Sequence, residues 1–335
     1  MQSNNNILIT GGQGFIGSWI CRILVRENNF KVIVVDVKPD YHILEQIMEP
    51  EEIKKIDFSF IDITNTADFK ELVLKYEPKF IIHLAGLQIP TCKANPILGA
   101  NVNVLGTINV FESVKELKER TSRVCPVIYA SSVAVNGPSE DYQGVVTAQD
   151  HQRPMTMYGV YKLANEGTAR VYWNDHKIPS VALRPYTVYG VGREFGLTSS
   201  PTKLLKSIIF GQNYTIPFQG RLNVNYVEDI ANLFIDLGRV NQLQGAHVCN
   251  IKGDSLDIKD WVSMVKQILP TLTNKIEIQI QGSPLPFPDE FSEEVLEEIL
   301  QTKPIKTTPP LEGIKKTVAI FQTLYQQNKL SKSDL

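Results

Sequence analysis

Tyr158 and Lys162 stand four residues apart in the segment YGVYK, a spacing that puts both on one face of a helix. A tyrosine is a poor base near its ordinary pKa of ~10. A neighbouring ammonium and the positive ring of an oxidised nicotinamide both favour the phenolate. Such a tyrosine can take a proton from a substrate hydroxyl as hydride leaves the same carbon. The same spacing also fits an aromatic on a core-facing stripe. A second hydroxyl source lies upstream. SSVAVNG (131–137) follows the apolar run Val127–Ala130, so Ser131 and Ser132 fall at a strand end, with Val133 and Ala134 rather than acids behind them.

These groups need a scaffold, and the first half of the chain supplies its pattern. Short β-branched apolar runs at 6–10, 31–35, 57–61, 80–84, 127–130 and 179–183 alternate with helical patterns near 15–27, 66–76, 97–120 and 155–177. Continuous apolar runs suit strands buried on both faces, and strand–helix alternation implies a parallel, doubly wound α/β sheet. Beyond Arg184-Pro185, prolines break the pattern into shorter pieces, with helices near 256–269 and 311–326. The expected division is a dinucleotide-binding unit over 1–185, to which 221–250 returns. A smaller C-terminal α/β substrate-binding part is expected over 186–220 and 251–335.

The first βα turn reads ILITGGQGFIG. Gly11 permits the tight turn, Gly14 leaves room for pyrophosphate, and Gly17 lets the helix press on the sheet. The helix N-terminus then offers free N–H groups and partial positive charge to phosphate. Asp36 ends the second strand nineteen residues after Gly17. A carboxylate there accepts from both ribose hydroxyls and repels a 2′-phosphate, which favours NAD over NADP; nearby Lys38 works the other way.

The bulk composition excludes several classes. The 335 residues carry a net charge of −2, with 43% hydrophobic and 21% charged residues. That gives no electrostatic pull toward nucleic acid or acidic membranes. Cys21, Cys92, Cys125 and Cys249 are far apart and the five histidines lack ligand spacing, so no metal is expected. No apolar run approaches the ~20 residues of a membrane span, and the start lacks a leader pattern. The expectation is a cytoplasmic protein.

The motifs taken together carry a resemblance. GGQGFIG, Asp36, Asp62-Ile63, HLAG (83–86), NVLGT (103–107), SSVAVNG, P-x-x-x-Y-G-x-x-K (154–162) and LRPYTVYG (183–190) follow one another as in extended short-chain dehydrogenases of the NAD-dependent epimerase/dehydratase type. The resemblance runs from about residue 6 to about 265. It implies a Rossmann sheet binding NAD. Ser132 would bond the reacting oxygen, Tyr158 would be acid/base, and Lys162 would hold the nicotinamide ribose and tune Tyr158. Gly11, Gly14, Phe15, Ile16 and Gly17 would line the pyrophosphate. Asp62 and Ile63 would face the adenine. Leu84, Ala85, Gly86 and Pro185 would flank the cofactor, and Asn103 would support the site from its helix. It also implies a homodimer through helices near 101–120 and 158–175.

Departures from the family pattern bear on substrate. Dehydratases of this group carry an acid pair where Val133 and Ala134 stand, so a 4,6-dehydratase is not expected. Nucleotide-sugar enzymes of the group carry Asn at the position of Thr187. They carry Arg at that of Leu222, and Arg221 is one position out. One residue of slip turns a strand side chain to the other face, and a bulge restores it. The segment 193–203 offers Arg193, Thr198, Ser199 and Lys203 to a carboxylate or a hydroxyl-rich substrate, or is simply a polar loop with a helix cap. Three readings follow, in this order. The first is an NAD-dependent epimerase of a sugar or nucleotide sugar, working by oxidation and re-reduction. The second is a dehydrogenase with net turnover on a sugar, sugar acid or hydroxy acid. The last is a non-catalytic NAD-binding protein.

Overall fold

A computed structural model describes residues 5–301 and 303–335; the first four residues, read in the sequence for a leader, lie outside it. Twelve strands are seen among the described residues: β1 (Asn6–Thr10), β2 (Lys31–Asp36), β3 (Asp57–Phe60), β4 (Phe80–His83), β5 (Val127–Ala130), β6 (Ser180–Arg184), β7 (Thr187–Tyr189), β8 (Tyr214–Ile216), β9 (Arg221–Tyr226), β10 (Ala246–Asn250), β11 (Asp254–Asp257) and β12 (Ile278–Ile280). Seven of them form one parallel sheet in the order β10-β6-β5-β4-β1-β2-β3. The order reverses at β1, where β4 pairs on one side and β2 on the other. In such sheets a crevice opens at the carboxyl ends of the two strands flanking the reversal.

The longer helices are α1 (Phe15–Glu27), α2 (Thr66–Tyr76), α3 (Gly106–Thr121), α4 (Met157–His176), α5 (Ser200–Ile209), α6 (Val227–Gly238), α7 (Ile258–Ile268) and α8 (Pro310–Gln326). Alternate strand residues feed two cores. Ile7, Ile9, Val32, Val34, Phe80 and Ile82 pack on one face with Trp19, Leu24 and α6 residues such as Ile230 and Phe234. Leu8, Ile33, Val35, Ile81 and Val127 pack on the other with Phe69, Val73, Phe111 and Val114 of α2 and α3. Burying each such side chain contributes ~1.5–3 kcal/mol, and a sheet covered on both faces is what the continuous apolar runs require.

The expected single helix at 97–120 is broken. The chain runs through short helices Ile89–Ala94 and Pro96–Ala100, then a π-turn over Asn101–Leu105, before α3 begins. The run Pro96–Thr121 has the length and apolarity of a membrane-spanning helix, and 50% of its most apolar window is buried in the fold, as in a core helix.

Past β6 the chain makes two smaller sheets, β11-β9-β7 and β12-β8. Of the segment 221–250 expected to return to the main sheet, β10 is an edge strand beside β6 and α6 packs against α1. Arg221–Tyr226 instead pairs with β7 and β11.

Candidate active site

The β1–α1 turn is shaped for close backbone approach. Gly11 sits at φ +68°, in the left-handed region, and a Cβ there would fall 2.8 Å from Ala85 N. A Cβ on Gly17 would overlap the Gly11 carbonyl. Gly14 is the N-cap of α1 and provides no side-chain cap, so the first-turn N–H groups of Phe15, Ile16 and Gly17 are left for an anion. Asp36 accepts from Val37 N at 3.1 Å and from Gln13 N at 3.4 Å. Its carboxyl lies above the usual range because burial outweighs those bonds. Gln13 also ties the β2 loop, donating to Lys38 O at 2.8 Å and accepting from Asp40 N at 2.8 Å. Asp62 is exposed beyond β3 and caps Thr64, while Ile63 is buried against α3. A cradle that only glycine tolerates, an uncapped helix start and a carboxylate at the second strand end together fit a dinucleotide.

The β4 end is built as a relay. His83 Nδ1 lies 2.7 Å from Thr10 Oγ1, and Nε2 lies 3.0 Å from Thr107 Oγ1. Thr107 donates to Asn103 O at 2.7 Å, so its hydroxyl accepts from His83 Nε2–H and Nδ1 accepts from Thr10. Burial, with the Lys162 charge nearby, holds His83 down to about 3. Asn103 accepts from Leu87 N at 2.6 Å and donates to Leu87 O at 2.9 Å. That fixes the loop carrying Leu84, Ala85 and Gly86.

Ser132 closes β5. Its Oγ accepts from Ala134 N at 3.2 Å, which leaves its own O–H free to donate toward the Tyr158 phenol, whose anion it favours. Pro185 O accepts from Val133 N at 3.3 Å and holds this turn in place. α4 starts at a Thr156 cap, whose Oγ1 accepts from Gly159 N at 3.0 Å. A Cβ on Gly159 would overlap Ala134 O; only glycine lets the helix press Tyr158 against Ser132. Lys162 Nζ donates to Ala130 O at 2.7 Å and stands 5.5 Å from the Tyr158 ring. Burial pushes Lys162 down to about 8.

Burial raises Tyr158 above its ordinary value, opposed by Ser132 and by the Arg193 guanidinium. Arg193 is thus a second cation at the phenol, beside the Lys162 ammonium to which the sequence pointed. Arg193 donates to Thr198 Oγ1 at 2.9 Å and lies 5.8 Å from the Phe15 ring. Ser132, Tyr158, Lys162, Asn103 and Arg193 therefore gather at the carboxyl ends of β1, β4, β5 and β7.

Other substrate candidates do not join them. Arg221 is exposed and paired with Asp289 at 2.9 Å and Glu290 at 3.4 Å, while Leu222 is fully buried. Lys203 donates to Asp334 O. Thr187 is fully buried within β7. Ser199 is buried and donates to Gly196 O at 2.7 Å.

One group beneath the site was missed in the sequence. Glu166 takes Ser131 Oγ at 2.5 Å and both arms of Arg184, at 2.9 and 2.7 Å. The signal was present: 158, 162 and 166 continue one helix face.

Fold and site define a dinucleotide-binding α/β protein with a Ser/Tyr/Lys cluster at the sheet's reversal point. The model of the NAD dependent epimerase/dehydratase family matches residues 7–251, and the chain belongs to that family. Protein CapI of Staphylococcus aureus is 28% identical over 233 residues, covering 67% of this chain and just under two thirds, 66%, of that relative. UDP-glucuronic acid 4-epimerase from Bacillus cereus, solved with UDP-glucuronic acid and NAD, superposes with a TM-score of 0.79 at 23% identity, covering 96% of this chain and 100% of that one. L-threonine dehydrogenase from Clostridium difficile gives 0.79 at 22%, covering 95% and 98%. At these identities the two structures share the fold.

Proposed function

We propose that this protein is an NAD-dependent epimerase of a sugar or nucleotide sugar, oxidising one hydroxyl to a ketone and reducing it again from the other face. The observation that carries the reading is the Ser132–Tyr158 hydroxyl pair, backed by Lys162 and flanked by Val133 and Ala134, which are 3% and 2% exposed. Bound NAD would supply the hydride acceptor for the carbinol carbon and the donor for its return. Ser132 donates to the substrate oxygen. Tyr158 accepts the hydroxyl proton on oxidation and gives it back on reduction. Lys162 holds positive charge beside the phenol and faces the Gly86 turn, where a Cβ would lie 3.6 Å from its Nζ. With two buried apolar residues in place of an acid pair, no side chain there can expel water, so the reading excludes dehydration.

A second reading, net dehydrogenation, is favoured by one observation. Arg221 is engaged by Asp289 and Glu290, so it is not held ready for a sugar-nucleotide diphosphate. The fold does not choose, because both an epimerase and a dehydrogenase share it.

The homodimer belongs to the same proposal. Leu105 (51% exposed), Val160 (42%) and Val171 (52%) leave apolar surface on the π-turn before α3 and along α4, and a contact between copies would cover it.

The chemistry is tested with substrate deuterated at the reacting carbon. Epimerisation returns the label to that carbon with inverted configuration. Loss of the label to solvent, or a product lighter by one water, would contradict it.

A further inference from the structure

We propose that Arg193 is the seat of a carboxylate on the substrate, which makes that substrate a sugar acid or hydroxy acid rather than a neutral sugar. The proposal deepens the oxidoreduction read at Tyr158 and rests on it.

Among the other nine arginines, eight lie against a carboxylate: Arg22, Arg26, Arg120, Arg123, Arg153, Arg184, Arg221 and Arg239. The ninth, Arg170, is exposed to water. Arg193 has neither solution. It is partly withdrawn from solvent, its Nε is buried without a partner, and its one side-chain bond is to the neutral Thr198 hydroxyl. A guanidinium taken out of water without an anion is costly unless something else satisfies it.

The nearby acids are committed elsewhere. Glu194, the next residue, turns to His42 Nε2 at 2.8 Å. The Asp334 carboxylate is taken by Lys206. The guanidinium lies 5.8 Å from the Phe15 ring at the mouth of the cofactor cradle, and the Tyr158 phenol is the group whose charge opposes its burial, so an anion seated on it faces the site of reaction. The cofactor's pyrophosphate has its own donors at the start of α1. A guanidinium fork matches a carboxylate, with the free Nε–H as one prong.

The probes are glucuronate against glucose, and UDP-glucuronate against UDP-glucose. Binding is measured to the NAD-loaded Tyr158→Phe variant, which reads the anion site without turnover; turnover by the unmodified protein reads the chemistry separately. The expected result is at least tenfold tighter binding of one acid over its neutral partner. Arg193→Gln should erase that preference and Arg193→Lys should keep part of it, with NAD affinity within about twofold in both. Equal binding of acid and neutral probes overturns the proposal, as does a preference that survives Arg193→Gln. Loss of NAD affinity with the acid preference intact assigns Arg193 to the cofactor phosphate and also overturns it. If acid binding depends on Arg193 but the unmodified protein shows no redox or isomer product with these acids, the carboxylate site stands and the oxidoreductase reading fails.

Discussion

The ammonium of Lys162 donates to the main-chain oxygen of Ala130 at 2.7 Å, joining the second turn of α4 to the end of β5. Ser132 lies two residues beyond that oxygen and Tyr158 one turn before that ammonium. The bond therefore ties the helix that carries Tyr158 to the strand end that carries Ser132. Burial pushes Lys162 down to about 8, opposed by the charges of Cys92 and Glu166.

Replacing Tyr158 by Phe removes the proton acceptor and leaves the cleft shape. We expect kcat to fall by roughly 10²–10⁴-fold, the usual worth of a positioned acid/base. NAD affinity, read by fluorescence titration, should change by less than about twofold. Retained turnover would remove Tyr158 from the mechanism.

Gly159→Ala puts a methyl group into Ala134 O. The helix must back away from the Ser132 turn, at a cost of ~1–3 kcal/mol, as for other overpacked contacts. Urea unfolding should show that loss. The folded variant should bind NAD but lose kcat, because Tyr158 and Ser132 no longer meet.

How far the sequence carries is clearest along α4. Its four-residue spacing and the serines at 131–132 pointed to three members of the site, and the glycine pattern to the cofactor cradle, because those roles depend on local geometry. Six of the seven strands of the main sheet were legible as short apolar runs; the edge strand β10, AHVCN, was not, because it holds a single β-branched residue. The π-turn at Asn101–Leu105 was not, because it turns Asn103 toward Leu87, a partner far along the chain. Arg193 and Arg221 were equal candidates in sequence. Only the fold sets one over the Phe15 ring at the site and gives the other to Asp289.

Glu166→Ala strips both charge-paired bonds from Arg184, which is 1% exposed. Removing one partner of a buried pair costs ~3–5 kcal/mol. A fall of that size in urea stability is expected, together with weaker ordering of the Ser131-Ser132 turn. A change below about 1 kcal/mol would show that water reaches Arg184.

His83 provides a pH signature. Its folded value is about 3 against an ordinary 6.5, so between those limits the unfolded chain binds more protons. Stability from this residue is fully present above pH 6.5 and is lost as pH falls toward 3. At ~1.4 kcal/mol per unit the loss reaches on the order of 4–5 kcal/mol. His83→Gln should flatten that part of the stability–pH curve, measured by urea unfolding between pH 4 and 7. An unchanged slope would mean that His83 is not buried as a neutral ring.

The proposed epimerase cycle is tested most directly by following the cofactor through turnover. Purified protein is denatured and the released nucleotide identified, then loaded protein is given each candidate substrate while NADH absorbance and product NMR are recorded together. The account predicts released NAD rather than NADP, an isomer of the substrate accumulating, and no net NADH. Stoichiometric NADH with a ketone product would contradict re-reduction and establish a dehydrogenase.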